Sequence, residues 1–523
     1  MIRPRRWVWL LTGFGVGLTI ALVMVVATVP LSSDALRHRI VAELSRRMDA
    51  DIELGDLDLR LFPRLQAHGD TLRIRLRGNG DEPLISVQHF VINAGVPGLM
   101  HKHLSRVELL GLKIVIPPKR AADGSAEPIA TTGSAFAALR EDLVIDRLES
   151  NDAQLVIEPT PDKDGKPKHP HVWTIHRLLM HNVGAKTAMP FEATLTNDVP
   201  PGEIVTSGHF GPWQPRQPGD TPLDGTFAFD RADLSVFHGI GGTLSSRGRF
   251  GGSLEVIDVT GESETPDFVV STSGQPFALH TKYHTVVDGT NGDTRLARVD
   301  ASFMQSSLTA SGRVYSDTMH RPGRFVDLDI RMDRGRIEDV MRIAVKPPSP
   351  MVGALNMKTT FLLPPGESDV IDRLRLDGRF SIAAARFTNV DVQGKIEELS
   401  RRSRGKPSVE TTRRVFSTFE GRFALGGGAL KISELTFSVP GATVELAGRY
   451  GLKAETLDFR GTMGMQASIS ETQRGWKRVV LKVVDPLFRK DGRSAVPFKI
   501  GGKRQDPQFG LDFGRVFRRG NKS

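Results

Sequence analysis

Beyond residue 50, apolar and polar residues alternate one by one along much of the chain. Ile52 and Leu54, then Leu57, Leu59 and Leu61, are interleaved with Asp51, Glu53, Asp56, Asp58 and Arg60, and the phase breaks at Gly55. Successive side chains on a strand point to opposite faces, so this pattern predicts strands with one apolar and one charged face. Leu72, Ile74 and Leu76 alternate in the same way with Thr71, Arg73, Arg75 and Arg77. Further strands are predicted around Phe227/Phe229, Val326/Leu328/Ile330, Leu374/Leu376, Phe380/Ile382, Leu430/Ile432, Leu435/Phe437/Val439, Leu457/Phe459 and Phe509/Leu511/Phe513.

Helical spacing is rarer. Leu36, Ile40, Val41, Leu44 and Met48 form one apolar helical face, with Ser32, Ser33 and Asp34 suited to its N-terminus. Other helices are expected at 337–344, 394–403 and 472–484. Gly-Arg-apolar tripeptides recur at the expected strand starts: 248–250, 312–314, 378–380, 421–423 and 448–450. They mark either a degenerate repeat of hairpins or common turn chemistry. Proline-, glycine- and charge-rich stretches at 117–135, 159–171, 199–222, 347–350, 364–368 and 401–414 read as loops, the last as a basic linker.

The first 30 residues differ in kind. Trp7 to Val29 carries no charge, and a helix of this length spans about 34 Å, enough for a hydrocarbon core. Arg3, Arg5 and Arg6 precede it and orient the N-terminus to the cytoplasm. A cleaved signal peptide is the competing reading; the run is long for one, and Ala27-Thr28-Val29 is a poor cleavage site. Gly13 and Gly17 form a G-x-x-x-G that suits a weak dimer through this helix, or simply the high glycine content of membrane helices.

Composition narrows the chemistry. There are no cysteines, which removes disulfides, thiolate zinc sites and cysteine nucleophiles. The net charge is +10, and residues 471–523 hold 14 Lys/Arg against 5 Asp/Glu, so +9 of it lies in the last tenth of the chain. The body therefore offers no basic groove for nucleic acid. No H-E-x-x-H, G-x-x-x-x-G-K-[ST], G-x-S-x-G or G-x-G-x-x-G motif occurs. The histidines His101, His103, His169, His171, His176 and His181 read as solvated loop residues rather than metal ligands. No catalytic residue, metal or cofactor is expected, and the chain is not read as an enzyme.

Near the C-terminus Trp476, Val479, Val480, Val483 and Val484 fall on one helical face, with Arg474, Lys477, Arg478 and Lys482 largely off it. Such a helix suits an anionic membrane surface, with Trp476, Lys477, Arg478 and Lys482 as the contacts. Equally, it suits a lid over the open end of a sheet.

Several segments together resemble the AsmA family of Gram-negative envelope proteins. They are the anchor, the short helix and the strand 51–63 at one end. At the other are Gly427-Gly428-Ala429-Leu430-Lys431-Ile432, Phe437-Ser438-Val439-Pro440-Gly441-Ala442, Leu446-Ala447-Gly448-Arg449-Tyr450 and Asp485-Pro486-Leu487-Phe488. The resemblance implies a mainly β protein: a single N-terminal transmembrane helix, then an elongated, curled antiparallel β-sheet groove with a few short helices. Its expected parts are 1–30, a cytoplasmic stub and anchor; 31–400, a β-rich periplasmic region; and 401–523, an AsmA-like C-terminal region. It further implies a protein of the bacterial inner membrane that binds or conveys phospholipid in support of outer-membrane biogenesis. From the alternation, the groove-lining residues would be Leu57, Leu59, Leu61, Ile74, Leu76, Phe227, Phe229, Phe380, Ile382, Ile432 and Phe437. The same alternation suits a sandwich packed on itself. Two other functions remain open: a structural or regulatory protein that binds an outer-membrane assembly partner, and a tethered hydrolase.

Overall fold

The computed structural model describes residues 50–60, 65–76, 85–95, 103–116, 144–157, 171–184, 186–197, 199–214, 217–316, 323–403, 416–465 and 493–511, with scattered positions between Leu31 and Lys490. The anchor run and the basic helix at 472–484 lie outside the described residues. Among those described, no helix is long and apolar enough to cross a membrane. Asp34, Arg37, His38, Val41, Ala42 and Ser45 are helical, as the spacing of 36–48 predicts.

The described chain is mainly β, with three short helices, α1 (Ile337–Ala344), α2 (Val370–Arg373) and α3 (Val390–Ser403). It divides into two units. One comprises Met1–Ala232, Arg247–Val259 and Val287–Gly292; the other comprises Asp233–Ser246, Thr260–Val286 and Asp293–Ser523.

In the first unit, strands Ala50–Leu54 and Leu57–Arg60 both pair with Leu65–Leu76, which pairs with Ile85–Ala94. Arg106–Leu110 and Lys113–Ile116 follow on the next line. Val144–Ile157 then runs parallel to them, and the ladder continues antiparallel through His171–Val183, Met189–Asn197, Gly202–Phe210 and Pro222–Asp233. The expected all-antiparallel sheet is therefore corrected to a mixed one. The cause is connection length: 27 residues (117–143) separate Ile116 from Val144, and a parallel return needs a crossover of about a dozen or more.

A crease crosses this unit. On six neighbouring strand lines the inward residue recurs after three positions instead of two: Leu54 to Leu57, Gly69 to Leu72, Val87 to Phe90, Leu109 to Leu112, Ser150 to Ala153 and Ile175 to Leu178. Each line thus sends two successive residues outward, among them the exposed pairs Asp70–Thr71, Gln88–His89, Asn151–Asp152 and His176–Arg177. Thr71 (φ 52°), Gly111 (φ 64°) and Asp152 (φ 54°) take up the left-handed backbone this requires. The phase break at Gly55 is this crease seen in one strand.

The second unit carries an antiparallel meander of Thr294–Phe303, Ser306–Ser316, Arg324–Arg336, Met351–Leu363, Arg375–Phe387, Ser417–Gly426, Ala429–Val439, Ala442–Gly451, Thr456–Met465, Arg493–Lys503 and Asp506–Leu511. Gly427 (φ 57°) and Gly428 (φ 67°) close one two-residue hairpin, in which both central residues need positive φ. Leu430/Ile432 and Leu435/Phe437/Val439 lie on one strand, not two. Its register shifts between Ile432 and Leu435, so a bulge returns both sets to the same face.

The Gly-Arg-apolar tripeptides lie within strands rather than at their starts. Two of them pair with each other: Gly378 faces Phe423, Arg379 faces Arg422, and Phe380 faces Gly421. Gly421 leaves room for the Phe380 ring opposite, and the rings of Phe380 and Phe423 meet at 6.0 Å between centroids. A Cβ on Gly421 would sit 3.1 Å from the Phe380 ring. Gly69–Phe90, Gly448–Phe459 and Gly461–Phe498 repeat the device. Glycine under a cross-strand aromatic ring thus accounts for Gly421 and Gly448 among the tripeptides, and recurs at Gly69 and Gly461 outside them.

Candidate functional site

The meander's register collects its apolar residues into rows that cross the strands. One row runs Leu355–Ile382–Phe419–Phe437–Val444–Met463–Val496. A second runs Met332–Met357–Phe380–Gly421–Leu435–Leu446–Gly461–Phe498. The third is Ile330–Thr359–Gly378–Phe423–Ile432–Gly448–Phe459–Ile500, and the fourth Leu328–Phe361–Leu376–Leu425–Leu430–Tyr450–Leu457. Thr359 is the one aliphatic hydroxyl in these rows, and it donates to the Asp377 carbonyl at 3.0 Å.

The first row is closed. Leu355 is 2% exposed, Ile382 3%, Phe419 7% and Phe437 6%. Val340, Met341 and Ile343 of α1 and Ile396 of α3 pack against this cluster. Two polar anchors hold the helices there. Buried Asp339 accepts from Ser306 Oγ (2.7 Å) and from the Gln305 amide (3.1 Å). Ser400 Oγ donates to the Pro440 carbonyl at 2.7 Å. Phe419 packs at a tilt of 35° against Phe437 with centroids 4.7 Å apart. The fourth row differs: Leu425 is 7% exposed, but Leu328, Phe361, Leu376, Leu430 and Leu457 around it are half-buried. Along one sheet face the apolar surface passes from a helix-covered end to an end that stays partly open.

The structure divides the residues that alternation nominated. In the first unit Ile74 is buried, pairing with Ile52 on one side and Ile85 on the other. Leu57 and Leu59 are half-buried opposite Gly69 and Ala67, and Leu76 pairs with Ala50. Phe227 and Phe229 are half-buried on Pro222–Asp233, opposite Thr206 and Ile204. In the second unit Ile382 and Phe437 belong to the closed row, while Phe380 and Ile432 lie half-buried in the rows beside it. Leu61, Trp476, Lys477, Arg478 and Lys482 lie outside the described residues. Alternation missed Leu328, Phe361, Leu376, Leu430 and Leu457 as a set. Each reads as apolar on its own strand, but only the pairing register aligns them.

Among the described residues no group of three His, Asp or Glu is placed to hold a metal ion. His176 Nε2 lies 2.7 Å from Thr196 Oγ1, and His103 Nδ1 lies 3.1 Å from Asp146. Glu149 belongs to an ion-pair network, accepting from Arg106 Nη2 and Arg147 Nε, each at 2.5 Å. The Arg106 bond above all holds the Glu149 carboxyl below the usual range. No family model, curated protein or solved structure matches the chain.

Proposed function

We propose that the chain is a membrane-anchored protein of the bacterial inner membrane, with its bulk in the periplasm, that binds or conveys phospholipid on an apolar β-face in support of outer-membrane biogenesis. The observation that supports this reading is the fourth row, in which Leu328, Phe361, Leu376, Leu430 and Leu457 lie half-buried in one register line with the buried Leu425. Holding an acyl chain of about 16 carbons out of a bilayer costs roughly 12 kcal/mol at ~0.8 kcal/mol per CH₂, and only a continuous apolar strip can offset that. A sheet face with in-register leucines and a phenylalanine offers such a strip, whereas isolated contacts do not. The uncharged run 7–29 behind three arginines supports the anchor.

The test is native mass spectrometry of the full-length protein in mild detergent, comparing wild type with Phe361→Asp, Leu376→Asp and Leu430→Asp. Co-purifying phospholipid that disappears in these variants, with an unchanged urea midpoint, is the expected result. Lipid retained in folded variants, or a stoichiometric protein partner in its place, overturns the reading.

A further inference from the structure

The outer face of the crease in the first unit carries an open cavity of about 500 Å³. One transverse row of its walls runs Arg73–Ser86–Lys113–Gln154, each residue in register with the next. Neighbouring strands lie about 4.8 Å apart, so Arg73 and Lys113 stand about 10 Å apart at their backbones, with Ser86 between them. Two cationic heads can then converge from either side on an atom group above the serine hydroxyl. The next positions add a third side. Gly111 has no side chain, and Gln88 lies across it, so a Cβ there would come within 2.5 Å of the Gln88 amide carbon. The Gln88 and Gln154 amides both border the same space.

Arg73 faces Glu53 across the strands and is ion-paired with it at the longer of two contacts. Its neighbour Glu53 is bound by Arg75 through two oxygens, at 2.7 and 3.1 Å, whereas Arg73 approaches no closer than 3.6 Å. Asp152 is the one carboxylate in the lining. Thr71 and Asp152, both held at positive φ within strands, border the cavity as well. For a β-branched threonine that conformation is costly, and such strain concentrates at functional positions.

We propose that this cavity binds a phosphate-type anion, held by Arg73 and Lys113 across Ser86 with Gln88 and Gln154 as further donors. The group comes either from a free phosphate compound or from the headgroup of an anionic lipid. The cavity lies in the first unit, on the face opposite its buried Ile74 and Ala153, and shares no residue with the rows of the second unit, so the proposal does not rest on lipid binding at Phe361 and Leu376.

The experiment uses the full-length chain in non-ionic detergent with two probes, each read by isothermal titration: inorganic phosphate, and short-chain phosphatidylglycerol dispersed in the same detergent. Lys113→Gln and Arg73→Gln should each weaken binding of the responding probe by about tenfold, the worth of one charge-assisted hydrogen bond. Asp152→Asn should tighten it, because the one carboxylate of the lining is removed. Phosphate binding with this variant pattern assigns a free anion; phosphatidylglycerol binding with the same pattern assigns a headgroup; both support the site. Absence of binding to either probe overturns it. So does binding that Lys113→Gln, Arg73→Gln and Ser86→Ala all leave unchanged, for these outward residues can be replaced without disturbing the buried face.

Discussion

The pairing of glycine under an aromatic ring makes a sharp prediction at Gly69. A Cβ built on Gly69 would lie 2.1 Å from Cζ, 2.5 Å from Cε1 and 2.8 Å from Cε2 of Phe90, and no backbone atom is among its three nearest neighbours. Phe90 is 8% exposed, so nearly the whole ring is buried. A buried aromatic removes about 200 Å² from water, worth at most about 5 kcal/mol at 25 cal/mol per Å². Gly69→Ala must push the ring off its seat. If half the burial is lost, that costs about 2.5 kcal/mol, offset by about 0.5 kcal/mol from the less flexible unfolded chain. The net loss is about 2 kcal/mol. Phe90→Ala alone should cost about 4 kcal/mol. In Gly69→Ala/Phe90→Ala the collision no longer exists, so the double variant should lose about 4 kcal/mol instead of the sum of about 6. Urea unfolding of the four proteins measures this coupling of about 2 kcal/mol. Additive losses, or a neutral Gly69→Ala, would show that the glycine is not there to seat the ring.

Three further outcomes follow from other parts of the molecule. Phe419→Ala, beneath α1 and α3, should lose about 4 kcal/mol in urea unfolding, while the exposed Arg379→Ala changes stability by less than about 0.5 kcal/mol; equal effects would refute the assignment of faces. Glu149 has a depressed folded-state pKa, so its contribution is complete above the unfolded value of about 4.3 and is lost as pH falls through the lower folded value. Glu149→Gln should therefore flatten the acid limb of a stability–pH curve, and an unaltered limb would show the network to be inert. If the basic helix expected at 472–484 docks on membranes, flotation on anionic vesicles should be salt-sensitive and lost in Lys477→Glu/Lys482→Glu, whereas a lid over the sheet predicts no change.

Much of the local structure is legible in the sequence, because a strand with one buried face must repeat every two residues. The breaks in that repeat are legible too. The step from Leu54 to Leu57 and the step from Ile432 to Leu435 each mark a bulge, since a face can be kept across an extra residue only by such a shift. Helix α1 is also written locally, at 337–344. The aligned crease is not. Six separate steps of three have no common meaning until pairing sets Gly55 beside Thr71, Gln88 beside Gly111, and Asp152 beside His176.

The parallel placement of Val144–Ile157 was equally hidden, for alternation is the same in either direction and only the connection gives a clue. Tertiary structure also separated two kinds of residue that look identical in sequence. Ile382 and Phe437 lie under helices, whereas Leu376 and Leu430 lie at the half-open end of the same face. The physical reason is that periodicity reports which side of its own strand a residue occupies. What lies above that side depends on neighbours far away in the chain, through the register that aligns them and the helices that happen to pack there.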